Sequence, residues 1–242
     1  MDNLALASAQ AGHPLPTGPG DPTWGDNPAI TREMLPATLQ TLGTTLLSGF
    51  FTILLGLPLG LLLVALGPKG LLENRTVFQV VSFIVNVVRS FPFIILVIWI
   101  APFTRLVTGT SLGWKAACVP LVIGAVPFFA RLVETNILSV DEGKIEAAKM
   151  MGARRAQIMW GVQVREVLPA LIQSTTVLII TLIGYSAITG TLGGGGLGQM
   201  AMNYGYNRYQ SDTMLVAVVL FVVIVQVFQM VGDMLSRLVD HR

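Results

Sequence analysis

The sequence predicts an all-α integral membrane protein with five transmembrane helices and a short charged helix between the third and fourth spans. Of its 242 residues, 53% are hydrophobic and only 12% are charged, whereas soluble domains carry about 25% charged residues. The apolar residues gather into five long stretches, and a bilayer core of about 30 Å requires roughly 20 apolar helical residues. Lipid is therefore the expected solvent for most of the chain.

The first 30 residues have a different composition and are predicted to form a flexible extracytoplasmic tail. They contain five prolines and little hydrophobic periodicity, so they cannot bury enough apolar surface to offset the entropy of ordering. They also lack the basic start and apolar core of a signal peptide. The transmembrane domain is expected to occupy residues 31–242.

Five apolar stretches supply the predicted spans. Their approximate limits are 39–66, 76–103, 115–139, 167–189 and 213–235, with a polar loop over 140–166. Arg89 and Pro92 interrupt the second stretch, and Pro92 is expected to kink its helix because it removes a backbone hydrogen bond. Arg131 and Glu134 lie near the end of the third.

Basic residues are distributed unequally between the two predicted sides. The segments 67–75, 140–166 and 236–242 hold nine lysines and arginines, whereas the opposite side holds four, Arg32, Arg105, Lys115 and Arg208. The side richer in basic residues is the cytoplasmic one. The sequence thus predicts an external N-terminus, with the C-terminus and the polar loop in the cytoplasm.

The polar loop is predicted to contain two short helices. Ser139 and Glu142 have capping-box spacing, and Asp141 is an alternative N-cap. The first helix should close at Gly152 in the left-handed conformation, and the second should cover about 154–164. Ile145, Ala148 and Gly152 share one face that a partner could approach closely. The alternative is an ordinary interfacial helix with a solvated charged face.

The run Glu146-Ala147-Ala148-x3-Gly152 resembles the EAA motif of permease subunits of bacterial ABC importers. That resemblance implies that the loop is the coupling helix, which docks in a groove of a cytoplasmic ATPase. Arg165 stands where the motif has a proline, so the motif does not predict the local bend that follows the second short helix.

Further segments are similar to the methionine-uptake permeases of this class, and the similarity runs from about residue 32 to the C-terminus. These segments are Arg89–Leu96, Val119–Glu134, Gly184–Ala187 and Gly194–Gln199. The resemblance implies a homodimer in the bacterial inner membrane with two ATPase subunits and an extracytoplasmic methionine-binding lipoprotein. The implied substrate is methionine in its L- and D-forms, the alternative being another amino acid or small solute.

Arg89, Arg131 and Glu134 are charged residues that fall within the apolar stretches and require partners. An intramembrane arginine costs at least about 2.5 kcal/mol on insertion scales. Arg89 could pair with backbone carbonyls or Glu134, or it could contact a substrate carboxylate. Arg131 and Glu134 are spaced i, i+3 and can pair on one helix face.

The end of the fourth span is the predicted gate of the translocation path. In the resembling family this helix lines the path, which favours Tyr185, Ser186, Ile188 and Thr189 as gate residues, although packing at an interface explains the same pattern equally well. The glycines of 190–198 are expected to let the chain turn sharply at the outer end of this span.

Several function classes lack their motifs in this sequence. It contains no P-loop, so ATP and Mg²⁺ are expected on the partner ATPase, with no cofactor or metal in this chain. It also has no catalytic constellation and no basic nucleic-acid-binding patch. An ion-driven secondary transporter is the alternative from another class, but such proteins tend to show internal repeats, and none is evident here.

Overall fold

The computed structural model describes residues 27–68 and 70–240, and the secondary structure in these ranges is helical. A π-helical turn, Ala29–Glu33, leads into the first helix. The helices are α1 Met34–Leu66, α2 Arg75–Ser90, α3 Phe93–Trp99, α4 Ala101–Thr108, α5 Trp114–Leu138, α6 Glu142–Met150, α7 Arg155–Gln157, α8 Leu168–Thr191, α9 Gly196–Met200 and α10 Ser211–Val239. Further π-helical segments, Ile158–Val164 and Ala201–Tyr206, follow α7 and α9.

Among the described residues, length and composition allow four helical stretches to cross a membrane, and a bent pair can supply a fifth crossing. The four are Ala29–Leu66, Trp114–Leu138, Leu168–Tyr206 and Ser211–Val239. The pair is α2 and α3, which meet at 98°. The prediction of a second span running from 76 to 103 is therefore wrong in its shape, since the helix breaks at Phe91 and again at Ile100.

Pro92 explains the sharp break between α2 and α3. The residue before a proline is driven away from the helical region by the proline ring, and Phe91 is extended, with φ −71° and ψ 129°. The new helix then starts directly after Pro92. The sequence predicted a kink here, and the structure shows a turn of the chain instead.

The prediction of a flexible tail over residues 1–30 is wrong for residues 27–30. The first 26 residues lie outside the described part of the chain, but Asn27 is buried and its Nδ2 donates to Asp212 Oδ2 at 3.0 Å and to Thr213 Oγ1 at 3.1 Å. This polar anchor fixes the start of α1 against the start of α10. Helical structure consequently begins at Ala29, ten residues before the predicted first span.

The core lies where α1, α5 and α8 pack together. Phe129 and Val133 of α5 are almost fully buried, as is Leu178 of α8. A Cβ atom on Gly60 of α1 would lie 2.6 Å from Val133 Cβ, so only glycine allows this approach of α1 to α5. Small residues have this role at many membrane helix interfaces.

Loops separate to the two ends of the bundle. We call one the charged end, where segments 68–73 and 139–167 and the end of α10 meet around shared cavities. We call the other the glycine end: there Gln40 Oε1 accepts from Gly196 N, and Thr41 Oγ1 accepts from Leu197 N, both at 2.9 Å. Three glycines within 193–196 have positive φ, which confirms the predicted sharp turn after α8.

Candidate functional site

Helix α6 lies in the loop at the charged end, and its two caps are well defined. Asp141 is the N-cap, because its Oδ1 accepts from Gly143 N at 2.8 Å. The capping box between Ser139 and Glu142 is wrong, since Ser139 Oγ donates instead to Asn136 O at 2.6 Å. Gly152 has φ 76° and its N–H donates to Lys149 O. The predicted left-handed closure at Gly152 is thus confirmed.

The inner face of α6 packs on the chain itself. Ala148 is only 4% exposed, and Ile145 packs against the core cluster of α1, α5 and α8. The prediction that a partner approaches the Ile145 and Ala148 face is therefore wrong for these two residues. An apolar stripe on a short helix is most readily buried against the nearest apolar surface, and here that surface belongs to the same chain.

The outer face of α6 carries a different set of residues. Glu146 and Ala147 are exposed, and so is Gly152 beyond the helix. Met150 and Met151 are 90% and 82% exposed. We call Met150 and Met151 the methionine pair; sequence reasoning missed it, although two adjacent methionines in a charged loop were a visible signal. Methionine is flexible and polarisable, and it is common at adaptable binding surfaces.

One ion pair links α6 to the start of α8, since Lys144 Nζ pairs with Glu166 across the loop. Ile158, the first residue of the π-helical segment between them, is buried. Arg165 has helical backbone angles, whereas Val167 departs from them, with φ −98° and ψ 10°. The break that a motif proline would give at residue 165 lies two residues later, immediately before α8, which has Pro169 in its first turn.

The predicted Arg131–Glu134 pair is present and joins two helices. Arg131 Nη1 donates to Glu134 Oε2 at 2.6 Å. Its Nη2 reaches across to α2, where it donates to Ser82 O at 3.2 Å, to Ser82 Oγ, and to Asn86 Oδ1 at 3.1 Å. The two charged side chains are 18% and 9% exposed. This network fastens α2 to α5.

Arg89 is arranged differently. It lies in the last turn of α2 and is exposed, a position favourable to a cation because helix C-termini carry partial negative charge. Glu134 is paired with Arg131, and no residue of the described ranges forms a hydrogen bond or ion pair with the Arg89 side chain. The predicted pairing of Arg89 with Glu134 is thus wrong.

Arg89 borders a small cavity that also contains Tyr185 from the predicted gate. The cavity has a volume of about 140 Å³. Phe93 and Tyr185 stack on its wall, with ring centroids 4.1 Å apart and planes inclined by 7°. The sharp turn at Pro92 brings Phe93 to this position. The structure therefore unites residues that the sequence placed on two separate spans.

The predicted gate residues divide into two pairs. Ser186 Oγ donates to Ile183 O at 2.7 Å and Thr189 Oγ1 to Ser186 O at 3.0 Å, and both residues are buried within the chain. Tyr185 and Ile188 are half-buried. The open side of α8 lies on another stripe, where Gln173, Val177 and Gly184 are exposed at helical spacing.

Known proteins resemble this chain over most of its length. The family of binding-protein-dependent transport system inner membrane components matches residues 56–242. The probable D-methionine transport system permease protein MetI of Vibrio cholerae is 46% identical over 209 residues, which cover 86% of this chain and 93% of that protein. The methionine import system permease protein MetP of Bacillus subtilis is 45% identical over 181 residues, covering 74% and 82%.

The fold also matches a solved transporter. A chain from the MetNI methionine ABC transporter in an inward-facing conformation superposes with a TM-score of 0.84 at 45% identity, covering 86% of this chain and 96% of that one. A chain from an amino acid ABC transporter shares only the fold, with a TM-score of 0.70 at 20% identity. Sequence and structure therefore agree that this chain belongs to the family of binding-protein-dependent transport system inner membrane components, the permease subunits of ABC importers.

Proposed function

We propose that this chain forms the translocation path of an ATP-driven importer for methionine, in both its L- and D-forms. The observation that carries the proposal is the likeness to methionine permeases over 86% of the chain in both sequence and structure. The Vibrio cholerae relative is named for D-methionine, and the Bacillus subtilis relative for methionine.

The proposed assembly contains two copies of this chain, two cytoplasmic ATPase subunits and an extracytoplasmic methionine-binding lipoprotein. We assign ATP and Mg²⁺ to the ATPase, since this sequence contains no P-loop, and we propose that the chain itself is not an enzyme and holds no cofactor. The excess of lysine and arginine at the charged end favours a cytoplasmic position for that end in the bacterial inner membrane. The N-terminus is then extracytoplasmic and the C-terminus cytoplasmic.

Helix α6 is the proposed coupling helix. Its outer face offers Glu146, Ala147 and the methionine pair to a partner, and Gly152 beyond them is also exposed. An exposed apolar group of this kind on a charged loop favours a protein interface. The ATPase is the expected occupant because the EAA-like run lies on this helix.

Coupling requires that movement of α6 reaches the membrane helices. Ala148 is buried in the bundle and Lys144 pairs with Glu166 next to α8, so α6 cannot shift without displacing them. ATP on the partner can favour one state of the permease only if the ATPase dimer binds that state better. The expected consequence is alternation of the homodimer between inward-open and outward-open states.

Uptake into vesicles tests the proposed function directly. Vesicles containing this permease and its ATPase, supplied with the binding protein, should accumulate radiolabelled L- and D-methionine only when ATP is present. Omitting the ATPase is the matched control and should abolish uptake. Accumulation driven by a proton or sodium gradient without the ATPase would show an ion-driven transporter, and ATP-driven uptake of another amino acid in place of methionine would overturn the substrate.

A further inference from the structure

Within residues 27–68 and 70–240, Arg89 has no hydrogen-bond or ion-pair partner, whereas Arg131, the other arginine inside an apolar stretch, is paired with Glu134. We propose that Arg89 and Tyr185 form a binding site within the permease for the α-carboxylate of the transported amino acid. The inference rests on the proposed function, because it takes the amino acid moving through this path as the ligand. In each subunit the substrate would contact the cleft that Arg89 and Tyr185 border.

The membrane helices contain few carboxylates that could pair with Arg89. Helices α1, α2 and α8 contain no aspartate or glutamate. The only acidic residue of α5 is Glu134, which pairs with Arg131. In α10, Asp212 is buried with Asn27 at the glycine end, and Asp233 accepts from Gln229 Nε2 at 2.9 Å.

A second copy of this chain brings the same set of carboxylates, with the same partners. Within helices α1, α2, α5, α8 and α10 it therefore offers Arg89 no carboxylate that lacks a partner; Glu33 lies outside these helices, in the π-helical turn before α1. An intramembrane arginine needs an anionic or polar partner, and guanidinium groups bind carboxylates through paired, charge-assisted hydrogen bonds. An anion that arrives from outside the chain best fits this site, and every amino acid carries such an anion.

Arg89 and Tyr185 lie at similar positions along the bundle. At a rise of about 1.5 Å per residue, Arg89 is about 21 Å along α2 from its start at the charged end, and Tyr185 is about 26 Å along α8. Both residues therefore lie towards the glycine end, at similar heights. A substrate released on the extracytoplasmic side would meet this cleft in the outer part of the path.

The lining of the cleft suits an amino acid with an apolar side chain. Phe91, Phe93 and Phe128 line it beside Tyr185, and aromatic rings make favourable contacts with a thioether sulfur. The Tyr185 hydroxyl has no hydrogen-bond partner within residues 27–68 and 70–240, so it can donate to the same carboxylate. One end of the cleft is thus cationic and its wall is aromatic, as a zwitterion with an apolar side chain requires.

Equilibrium binding to the intact complex tests this site. The permease–ATPase complex, in nanodiscs without ATP or binding protein, is titrated with radiolabelled L-methionine and then with L-methioninamide, which lacks the carboxylate, as competitor. The native complex should bind methionine, and the amide should compete at least tenfold more weakly. Arg89→Gln should weaken methionine binding at least tenfold and remove the preference over the amide. Arg75→Gln, at the other end of the same helix, is the matched control and should change neither value.

Three outcomes would overturn the site. Arg89→Gln could bind methionine as the native complex does, or it could keep the preference for methionine over the amide. In the third outcome, the native complex transports methionine with ATP and binding protein but binds no methionine in the titration. The proposed function would then survive, and only the carboxylate site would be refuted. Absence of methionine uptake by the native complex would instead refute the proposed function. Unchanged gel filtration and ATPase activity of Arg89→Gln exclude loss of assembly as the cause.

Discussion

Arg131 and Arg89 both lie within apolar stretches of this permease, and their surroundings are opposite. Arg131 is tied to Glu134, Ser82 and Asn86 within one chain, whereas Arg89 contacts no partner among the described residues and faces a cleft. Helix α6 repeats the contrast on a smaller scale, with Ala148 buried and Met150 fully outward. The difference separates side chains that stabilise the subunit from side chains that are available to a ligand or a partner.

The largest expected effect is on the stability of the subunit, when the paired arginine Arg131 is replaced. Arg131→Met leaves Glu134 buried without its cation, and removal of one partner from a buried pair typically costs about 3–5 kcal/mol. The free energy of unfolding, measured by SDS titration in mixed micelles, should fall by this amount. Arg89→Met should change it by less than about 1 kcal/mol, because no intrachain contact is lost.

A double variant sharpens the first prediction. Arg131→Met combined with Glu134→Leu removes both charges, and apolar replacements of a buried pair are often neutral. The double variant should therefore recover most of the stability lost by Arg131→Met alone. If the single variant is as stable as the native chain, the network is not structural and the contrast with Arg89 disappears.

The next effect distinguishes the two faces of α6. Ala148→Glu places an unpaired carboxylate in a buried site and should destabilise the subunit by about 2–4 kcal/mol. Ala147→Glu, one residue earlier on the exposed side, should change stability by less than about 0.5 kcal/mol. The same SDS titration compares them, and equal losses would show that α6 has no inner face. Loss of transport in Ala148→Glu alone would therefore be no evidence about docking.

The open face of α6 should control affinity for the ATPase without affecting stability. Replacing the methionine pair with Met150→Gln and Met151→Gln should weaken binding by about 2 kcal/mol, or roughly 30-fold, if these residues are central to the interface. Biolayer interferometry with the permease in nanodiscs measures this affinity. Leu72→Gln, an exposed apolar residue at the same end, is the control and should bind normally. Normal binding by the methionine variant would remove α6 from the interface.

The sequence predicted the parts of this contrast that depend on local chemistry. The i, i+3 spacing of Arg131 and Glu134 was sufficient to predict their pair, and Gly152 was sufficient to predict the end of α6. The partners of Arg131 on α2 are 45 or more residues away in the chain, so no local pattern indicated them. The sequence also underestimated the sharp turn at Pro92. A proline can bend a continuous helix or end one helix and start another in a new direction, and the proline alone does not show which.

Local sequence patterns also did not predict which surface covers the apolar face of the short helix α6. Ile145 and Ala148 form an apolar stripe whether they face a partner or their own chain, and only the positions of α1 and α5 determine which surface they meet. The Asn27 anchor shows the same limit, since its acceptors lie more than 180 residues further along the chain. Tertiary contacts of this range, rather than composition, decide which predicted residues remain open.

The smallest expected effect tests whether a solvent-exposed ion pair within the chain contributes to the free energy of unfolding. The Lys144–Glu166 pair links α6 to the start of α8, but its side chains are 51% and 28% exposed. Exposed pairs contribute about 0–1 kcal/mol and weaken as salt is added. Lys144→Gln should thus lower the free energy of unfolding by less than about 1 kcal/mol, and the loss should shrink between 0.05 and 0.5 M NaCl, roughly as screening predicts. A loss comparable with that of Arg131→Met, unchanged by salt, would mean that the pair is shielded in the assembled protein and that α6 is fastened more tightly than its exposure indicates.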